Sequence, residues 1–304
     1  MMLLYAFSAD LLLGDPRWLP HPVSAIAAWA KLLERSALRS ALRSRLGGCA
    51  VWLGVMVLTC GVVWGTCAVL PAPWIQVYWI YSFLAVRSLD DHAMAVIRAL
   101  QSGDLAASRQ AVSRIVGRDT ANLNEREIAR AVIETVAENL NDGVVAPLFW
   151  LGVAGPVGMA GYKAVNTLDS MFGYRNEKYR EFGWCPARMD DVASWIPARL
   201  TAALIWLVAA IAPGMSARDS IAVTMRDASR QPSPNSGYPE AAVAGALGLR
   251  LGGVNEYAGV VSRKEFLGDE LRPLGVQSYK GMRVILYAVS TLAVLIVAGV
   301  IEWQ

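Results

Sequence analysis

Carboxylates lie along one face of a helix that the sequence predicts over residues 125–140. At about 100° per residue, Glu127, Glu134 and Glu138 fall on one side of this helix, opposite a stripe of apolar residues. A carboxylate in such a position can accept a proton from a reacting group. A solvated helix face has the same pattern, but this helix leads through Asp142 into an interrupted apolar stretch. Acids beside such a stretch are typical of functional sites, and we therefore favour a site.

A second set of polar residues follows a glycine-rich stretch. Lys163 is suited to bind a phosphate, and Asp169 is suited to hold Mg²⁺, which takes oxygen ligands. Arg188 stands just before two adjacent acids, Asp190 and Asp191. Adjacent residues of a helix point in different directions, so one acid can hold a metal while the other forms a salt bridge.

A turn-rich loop over residues 231–240 leads into a helix of small residues over 241–249. Polar turns before a helix can present backbone N–H groups to an anion. A purely structural turn is the equal alternative. The sequence contains no Gly-x-x-x-x-Gly-Lys-Ser/Thr motif, so any ATP that the protein uses is not held by a P-loop.

The composition indicates a membrane protein. Hydrophobic residues make up 55% of the 304 positions and charged residues only 17%, with a mean hydropathy of +0.38. Soluble domains carry about a quarter charged residues. The net charge of +3 is mild, and no cluster of Lys and Arg is interleaved with aromatic residues. We therefore exclude nucleic acid as a partner.

Apolar stretches supply the elements that must position these polar residues. Residues 48–70 and 283–301 are each long enough for the roughly 20 residues that cross a bilayer. After a break at Pro71 and Pro73, residues 74–86 are predicted to cross a second time, and aromatic residues crowd their beginning. Residues 1–13 are predicted to be a retained, buried first helix.

Two further apolar stretches, 144–162 and 197–215, are interrupted or short. Such elements are tolerated at membrane depth only where they pack in protein or line a cavity, so we expect them beside the active site. The sequence thus predicts an all-α integral membrane protein, a single domain over 1–304 with about three to five membrane helices, some broken or re-entrant. Helical polar segments on the cytoplasmic side would form the active site, and they include helices over 87–101, 104–115 and 125–140.

Residues 31–45 are strongly basic and contain one acid, Glu34. Arg35, Arg39 and Arg43 recur every four residues and form a stripe on one helical face. The stripe is either a solvated face or a surface held at anionic lipid. Both interpretations place it on the cytoplasmic side of the membrane.

A set of motifs occurs in order along the chain: Gly14-Asp15-Pro16, His21-Pro22-Val23, Gly117-Arg118-Asp119-Thr120, Ile133-Glu134-Thr135, Glu138-Asn139, Asp142-Gly143, Ala146-Pro147-Leu148-Phe149, Tyr162-Lys163, Asn166-Thr167-Leu168-Asp169-Ser170, Ala187-Arg188, Asp190-Asp191, Pro197-Ala198-Arg199, Ser233-Pro234-Asn235, Gly237 and Pro239-Glu240-Ala241-Ala242. Their order resembles the cobinamide-phosphate synthase family of cobalamin biosynthesis, known as CobD or CbiB, over about residues 3–300. A more distant similarity is to the AmpE-like membrane proteins. Two positions depart from the family pattern: Ser194, where Asn is expected, and Gln231, where His is frequent.

The resemblance implies an ATP-dependent amide synthase in a bacterial inner membrane. Its substrates would be adenosylcobyric acid and an aminopropanol phosphate, and its cofactors ATP and Mg²⁺. A carboxylate does not react with an amine until it is activated, and an acyl phosphate is the economical route. Membrane lipid is an expected partner, together with either a second copy of the chain or other late membrane enzymes of the same pathway.

This resemblance also suggests a role for each polar residue. We predict that Asp142, Asp190 and Asp191 hold Mg²⁺. Phosphates would be bound by Arg118, Lys163 and Arg188. The preferred general base is Glu134, supported by Glu138. Substrates would be oriented by Asn166, Asp169, Asn235 and Glu240.

Two other classes of protein remain as alternatives. A transporter also places broken helices beside acids near membrane depth, and an AmpE-like sensor or structural subunit needs no chemistry. Two long polar blocks and few clear spans favour the enzyme.

Overall fold

The computed structural model describes residues 1–16, 18–39, 44–70, 72–174, 176–257 and 259–303, and for residues 38 and 39 it describes the backbone alone. Within these ranges the chain is mostly helical, which confirms the predicted fold class. The helices are α1 Met2–Leu13, α2 Pro22–Arg39, α3 Arg45–Val69, α4 Pro73–Phe83, α5 Val86–Gln101, α6 Leu105–Val112, α7 Glu125–Leu140, α8 Ala146–Phe172, α9 Trp184–Ala193, α10 Trp195–Ile211, α11 Ala217–Asp227, α12 Gly237–Leu247 and α13 Ser278–Trp303.

One sheet was not predicted. Strands β1 Leu251–Tyr257 and β2 Val260–Leu267 pair as an antiparallel hairpin, with Val254 opposite Arg263 and a bulge between Leu251 and Gly253. The chain divides into two compact units. The first unit comprises Met1–Ala85, Asp142–Trp195 and Val294–Gln304, and the second comprises Val86–Asn141 and Ile196–Ala293.

Three helical stretches of the described chain are long and apolar enough to cross a membrane: Arg45–Val69, Glu125–Phe172 and Ser278–Trp303. The bent pair formed by α9 and α10 makes a fourth if it is one span. This number agrees with the three to five that the sequence predicts, and the spans expected over 48–70 and 283–301 are confirmed as helices.

The second crossing predicted over 74–86 is wrong. Helix α4 has only 11 residues, a length of about 16 Å at about 1.5 Å per residue. A bilayer core is roughly 30 Å thick. Ile80, Tyr81 and Phe83 are buried, and α4 packs on α1 and α8 within the first unit. The apolar composition of α4 therefore reflects burial in protein.

The predicted interruption of the stretch 144–162 is confirmed. A π-helical turn, Asn141–Val145, precedes α8, and α8 itself is broken at Ala154 and Gly155. Gly155 adopts a positive φ of 63°, and Pro156 has no backbone N–H to continue the helix. In the first unit α8 packs against α3 and α9. This packing holds the polar second half of α8, which begins after the break, in place.

Helix α7 begins and ends where the sequence predicts. The Asn124 side chain accepts a hydrogen bond from the backbone N–H of Glu127, and the Glu127 carboxylate accepts one from the Asn124 N–H. This reciprocal cap fixes the first turn. The apolar stripe is buried, including Ile128 and Val132, and within the second unit α7 packs on α5, α6, α12 and β1.

The basic stripe is described only in part. Arg35 is exposed on α2. The backbone of Arg39 ends that helix, whereas its side chain and all of Arg43 lie outside the described residues.

A buried carboxylate ties α5 to α13 within the second unit. Asp90 is 2% exposed and accepts hydrogen bonds from the Tyr279 hydroxyl at 3.0 Å, the Tyr287 hydroxyl at 2.8 Å and the Arg283 guanidinium at 3.0 Å. Its neighbour Asp91 is exposed and pairs with Arg87, one turn away.

We expect Asp90→Ala to lower the free energy of unfolding of the purified protein by about 3 kcal/mol or more, because it leaves partly buried donors without their acceptor. The measurement is the thermal unfolding midpoint in detergent. Asp91→Ala is the matched control and should leave that midpoint nearly unchanged. Equal midpoints for the two variants would show that the Asp90 network does not hold α13 to α5.

Candidate active site

Four partly buried aspartates of the first unit form what we call the aspartate cluster. Asp142 lies in the π-helical turn, Asp169 near the end of α8, and Asp190 and Asp191 on α9. Asp169 is within electrostatic range of Asp142 and Asp191, and Asp190 is within range of the other three. The packing of α9 on α8 thus brings together the carboxylates that the sequence assigned to Mg²⁺.

Tyr162 anchors Asp142. Its hydroxyl donates to Asp142 Oδ1 at 3.2 Å and is 3.1 Å from the Ser194 hydroxyl. Tyr162 and Ser194 are buried, and Ser194 occupies one of the two positions that depart from the family pattern. Because the tyrosine proton goes to the carboxylate, Ser194 acts as the donor to Tyr162. The serine therefore supports the orientation of Asp142.

Lys163 and Asn166 contribute the cation and the amide of this site. The Lys163 ammonium donates to the backbone carbonyl of Asp142 at 3.3 Å, and the carboxylates of Asp142, Asp15 and Asp190 are within its electrostatic range. The Asn166 amide donates to Asp190 Oδ1 at 3.4 Å. A cation close to carboxylates suits a site in which a metal ion and a cationic side chain together neutralise the charge of phosphates.

The two adjacent acids of α9 differ in their contacts. Asp191 forms a salt bridge of 3.2 Å with Arg188, whereas Asp190 contacts Asn166. Arg188 is 65% exposed, so its pairing with Asp191 is weak and open to exchange for another anion.

The loop between α1 and α2 adds residues to which sequence reasoning gave no role. Asp15 faces Lys163 electrostatically, and its carboxylate lies 3.4 Å from His21 Nε2, while His21 Nδ1 accepts a hydrogen bond from the backbone N–H of Val23. Tyr81 donates its hydroxyl to the carbonyl of Gly14 at 2.5 Å. The sequence did contain a signal for this loop, the motif Gly14-Asp15-Pro16. That motif belongs to the family pattern, although a single sequence shows no chemical reason for it.

No group of three or more His, Cys, Asp or Glu side chains within the described ranges is arranged to hold a metal ion by itself. Mg²⁺ usually needs only one or two carboxylates, together with water and substrate phosphates. The aspartate cluster, with its all-oxygen donors, fits that demand.

The second unit holds a separate polar group on α7. Arg118 donates to Glu134 Oε2 at 2.5 Å and to Asn255 Oδ1 at 2.6 Å, and the backbone N–H of Gly252 donates to Glu134 Oε1 at 2.8 Å. The side chains of Arg118 and Glu134 are 7% and 8% exposed. The interpretation of Glu134 as part of a solvated face is therefore wrong, because β1 covers it and Arg118 neutralises it.

Sequence reasoning missed Arg130, which donates hydrogen bonds to Asn255 and to the backbone carbonyls of Gly252 and Val254.

Glu138, Glu240 and Lys264 form what we call the glutamate cluster, also in the second unit. Burial raises the pKa of the Glu240 carboxyl well above its usual range, and Glu138 raises it further, whereas Lys264 opposes the shift. Burial lowers the pKa of Lys264, but Glu240 and Glu138 outweigh it and the net shift is upward. Glu138 is exposed and Glu240 is buried. Lys264 was missed because β2 carries no motif.

Residues 231–236 form bends and turns, as predicted for the loop 231–240, but α12 already begins at Gly237, four residues before the predicted helix start at 241. Gln231, the second departure from the family pattern, is buried and donates to the backbone carbonyl of Glu265 at 2.9 Å, which ties the loop to β2. Asn235 is buried as well, and its N–H donates to the Ser233 hydroxyl. The predicted site residues thus divide between the two units.

Comparisons with known proteins agree on one family. The sequence profile of a family described as "CobD/Cbib protein" matches residues 3–286. The Cobalamin biosynthesis protein CobD of Pelobacter propionicus is 46% identical over 98% of this chain and 93% of that protein. The CobD of Klebsiella pneumoniae is 46% identical over 98% and 96%. The Cobalamin biosynthesis protein CbiB of Salmonella typhimurium is 44% identical over 95% and 93%. No solved structure matches the chain. These matches extend over nearly the whole sequence and both polar groups, and the chain therefore belongs to the CobD/CbiB family of cobalamin biosynthesis proteins.

Proposed function

We propose that this protein is an adenosylcobinamide-phosphate synthase of the bacterial inner membrane. It would join a propionate carboxylate of adenosylcobyric acid to the amine of an aminopropanol phosphate at the expense of ATP. Family membership supports the pathway. The observation that carries the chemistry is the aspartate cluster around Lys163, a set of oxygen donors and a cation that suits phosphoryl transfer.

The reaction has two steps. A propionate oxygen attacks the γ-phosphorus of ATP, the bond to the bridging oxygen breaks, and ADP leaves while an acyl phosphate forms. The neutral amine then attacks the carbonyl carbon, phosphate leaves with the electrons of the C–O bond, and a carboxylate accepts the amine proton. The products are the amide, ADP and phosphate.

In the first step the first unit would bind the phosphates. Asp142, Asp190 and Asp191 would hold Mg²⁺, which neutralises charge on the transferring phosphoryl group when it is bound. Lys163 and Arg188 would bind phosphate oxygens, while Asn166 and Asp169 orient the substrate. Tyr162 keeps Asp142 in place through its 3.2 Å hydrogen bond.

The second step needs a carboxylate that accepts the amine proton. The sequence favours Glu134 as the base, but its two oxygens already accept hydrogen bonds from Arg118 and Gly252. Glu138 is exposed one turn further along α7. We therefore assign proton acceptance to Glu138, with Glu134 holding Arg118 in place. Asn235 and Glu240 would orient substrate.

We also propose that the site faces the cytoplasm. Basic residues accumulate in segments next to the spans on that side of bacterial membrane proteins. Lys31 and Arg35 on α2, Arg45 at the start of α3, and Lys178 and Arg180 after α8 follow this distribution.

The decisive experiment uses purified protein in detergent with ATP and Mg²⁺. We expect ATP consumption only when adenosylcobyric acid and the aminopropanol phosphate are both present, with one ADP formed per amide detected by mass spectrometry. ATP hydrolysis without amide would contradict the proposal. Uptake of a corrinoid into proteoliposomes, without ATP consumption or amide, would identify a transporter instead.

A further inference from the structure

A polar cavity of about 430 Å³ opens in the first unit beside the aspartate cluster. It lies where α3 begins, α8 ends and α9 begins, and its walls include Arg45, Tyr174, Arg180, Trp184, Arg188 and Asp191. The close approach of α9 to the end of α8 requires Gly183, because a Cβ there would overlap the backbone carbonyl of Phe172. Cavities of this volume commonly hold small molecules.

The charge of this cavity suits a polyanion. Arg45 pairs with Glu181 at 2.8 Å and Arg188 pairs with Asp191 at 3.2 Å, and all four side chains are at least 30% exposed. Such exposed pairs are weak and can be exchanged for a stronger anion. Within the described part of the chain, the guanidinium of Arg180 has no hydrogen bond or ion pair. Arginines bind phosphate through paired N–H groups.

The same cavity presents aromatic surface. Trp184 is 41% exposed and Tyr174 is 55% exposed. The Arg45 guanidinium lies 5.2 Å from the centre of the Trp184 ring. An exposed indole beside arginines is a platform on which a nucleobase stacks, and stacking contributes roughly 1–3 kcal/mol per base.

A buried acid holds the outer wall of the cavity. Glu34 on α2 accepts a hydrogen bond from the Tyr179 hydroxyl at 2.8 Å and pairs with Lys178 at 2.7 Å. Tyr179 in turn packs on Phe172, with ring centres 5.5 Å apart. The single acid of the basic segment 31–45 therefore fixes the loop that carries Arg180, and that wall is preformed.

We propose that this cavity binds the purine nucleoside triphosphate, with its base at Trp184 and its phosphates at Arg45 and Arg180, directed toward Asp191. The inference rests on the proposed function, which requires ATP, and it assigns the nucleotide to this cavity. Asp191 is within electrostatic range of Asp169 and Asp190, so the phosphate end of the nucleotide meets the aspartate cluster.

The test measures binding of the non-hydrolysable analogue AMP-PNP, with Mg²⁺, to the full-length protein in detergent. Arg180→Gln should weaken AMP-PNP about tenfold or more, since it removes a charged hydrogen-bonding partner. The same variant should also weaken competition by inorganic tripolyphosphate. Trp184→Leu should weaken AMP-PNP about fivefold or more, because the base loses its stacking partner, while tripolyphosphate competes as well as in the wild type.

Arg218→Gln, which removes an exposed arginine of the second unit, is the charge-matched control and should bind AMP-PNP normally. Each variant is first checked for the wild-type unfolding midpoint. A variant that fails this check is replaced by Arg180→Lys or Trp184→Phe, for which intermediate losses of AMP-PNP affinity are expected.

Normal AMP-PNP affinity in well-folded Arg180 and Trp184 variants would overturn the inference and leave the proposed function standing. An Arg180 variant that raises only the KM for the aminopropanol phosphate would also overturn it. No AMP-PNP binding by the wild type would instead remove the proposed function itself.

Discussion

Replacement of either Asp142 or Asp191 by Asn is expected to lower the rate of amide formation by about 10²-fold or more. The change keeps the size of the side chain and removes one charge from the set that would hold Mg²⁺. Asp191 also lines the proposed nucleotide cavity, and Asp142 is held by Tyr162. If these carboxylates hold Mg²⁺ as proposed, loss of either one removes a metal ligand without opening a void.

The measurement that separates metal binding from structure is the Mg²⁺ dependence of the rate. A lost ligand should raise the Mg²⁺ concentration needed for half-maximal activity, whereas a purely structural residue should change the rate at every concentration alike. Asp91→Asn, at an exposed carboxylate of α5, is the control for charge removal. Full activity of either variant at ordinary Mg²⁺ would exclude that residue as a ligand.

The sequence predicted α7 well, because its signals are local. Asn124 and Glu127 stand three residues apart, as a capping box requires, and the apolar stripe has the helical period. The break in α8 is predictable for the same reason, since Gly155 and Pro156 interrupt the helix at their own positions. These features depend on neighbouring residues alone.

The contacts of Glu134 were not predictable from one sequence. Its partners Arg118 and Gly252 lie 16 and 118 residues away, and nothing in the local pattern shows which cation meets which acid. The hairpin was hidden because Gly252 and Gly253 in β1 have φ values of 80° and 90°, which interrupt a normal strand pattern. Most of β2 is exposed, so it lacks the alternation of a half-buried strand.

Helix α4 shows a different limit. A short apolar run has the same composition whether it is buried among other helices or lies in lipid, and only its length separates the two. The aromatic residues at its start suggested a membrane interface. In the structure Trp79 donates instead to the Thr66 hydroxyl and stacks on Phe83 inside the first unit.

Glu138→Gln is expected to uncouple ATP consumption from amide formation. Without the carboxylate that accepts the amine proton, the second step should slow by about 10²-fold or more, while the acyl phosphate still forms and is lost to water. The observable is ADP release in excess of amide. Hydroxylamine, a nucleophile that is largely uncharged at neutral pH, should trap the intermediate as a hydroxamate and restore the ratio of captured acyl groups to ADP.

Glu134→Gln is the matched comparison four residues earlier on α7, and it should behave differently. It removes the charged partner of Arg118, whose side chain is only 7% exposed, and breaking such a buried pair costs about 3–5 kcal/mol. We therefore expect a lower unfolding midpoint and a proportional fall of ATP consumption and amide formation, with no hydroxamate above the wild-type level. If Glu134→Gln is instead the variant that uncouples, while Glu138→Gln keeps one ADP per amide, then Glu134 is the base, as the sequence alone suggests. In that case Arg118 must release its carboxylate when the substrates bind.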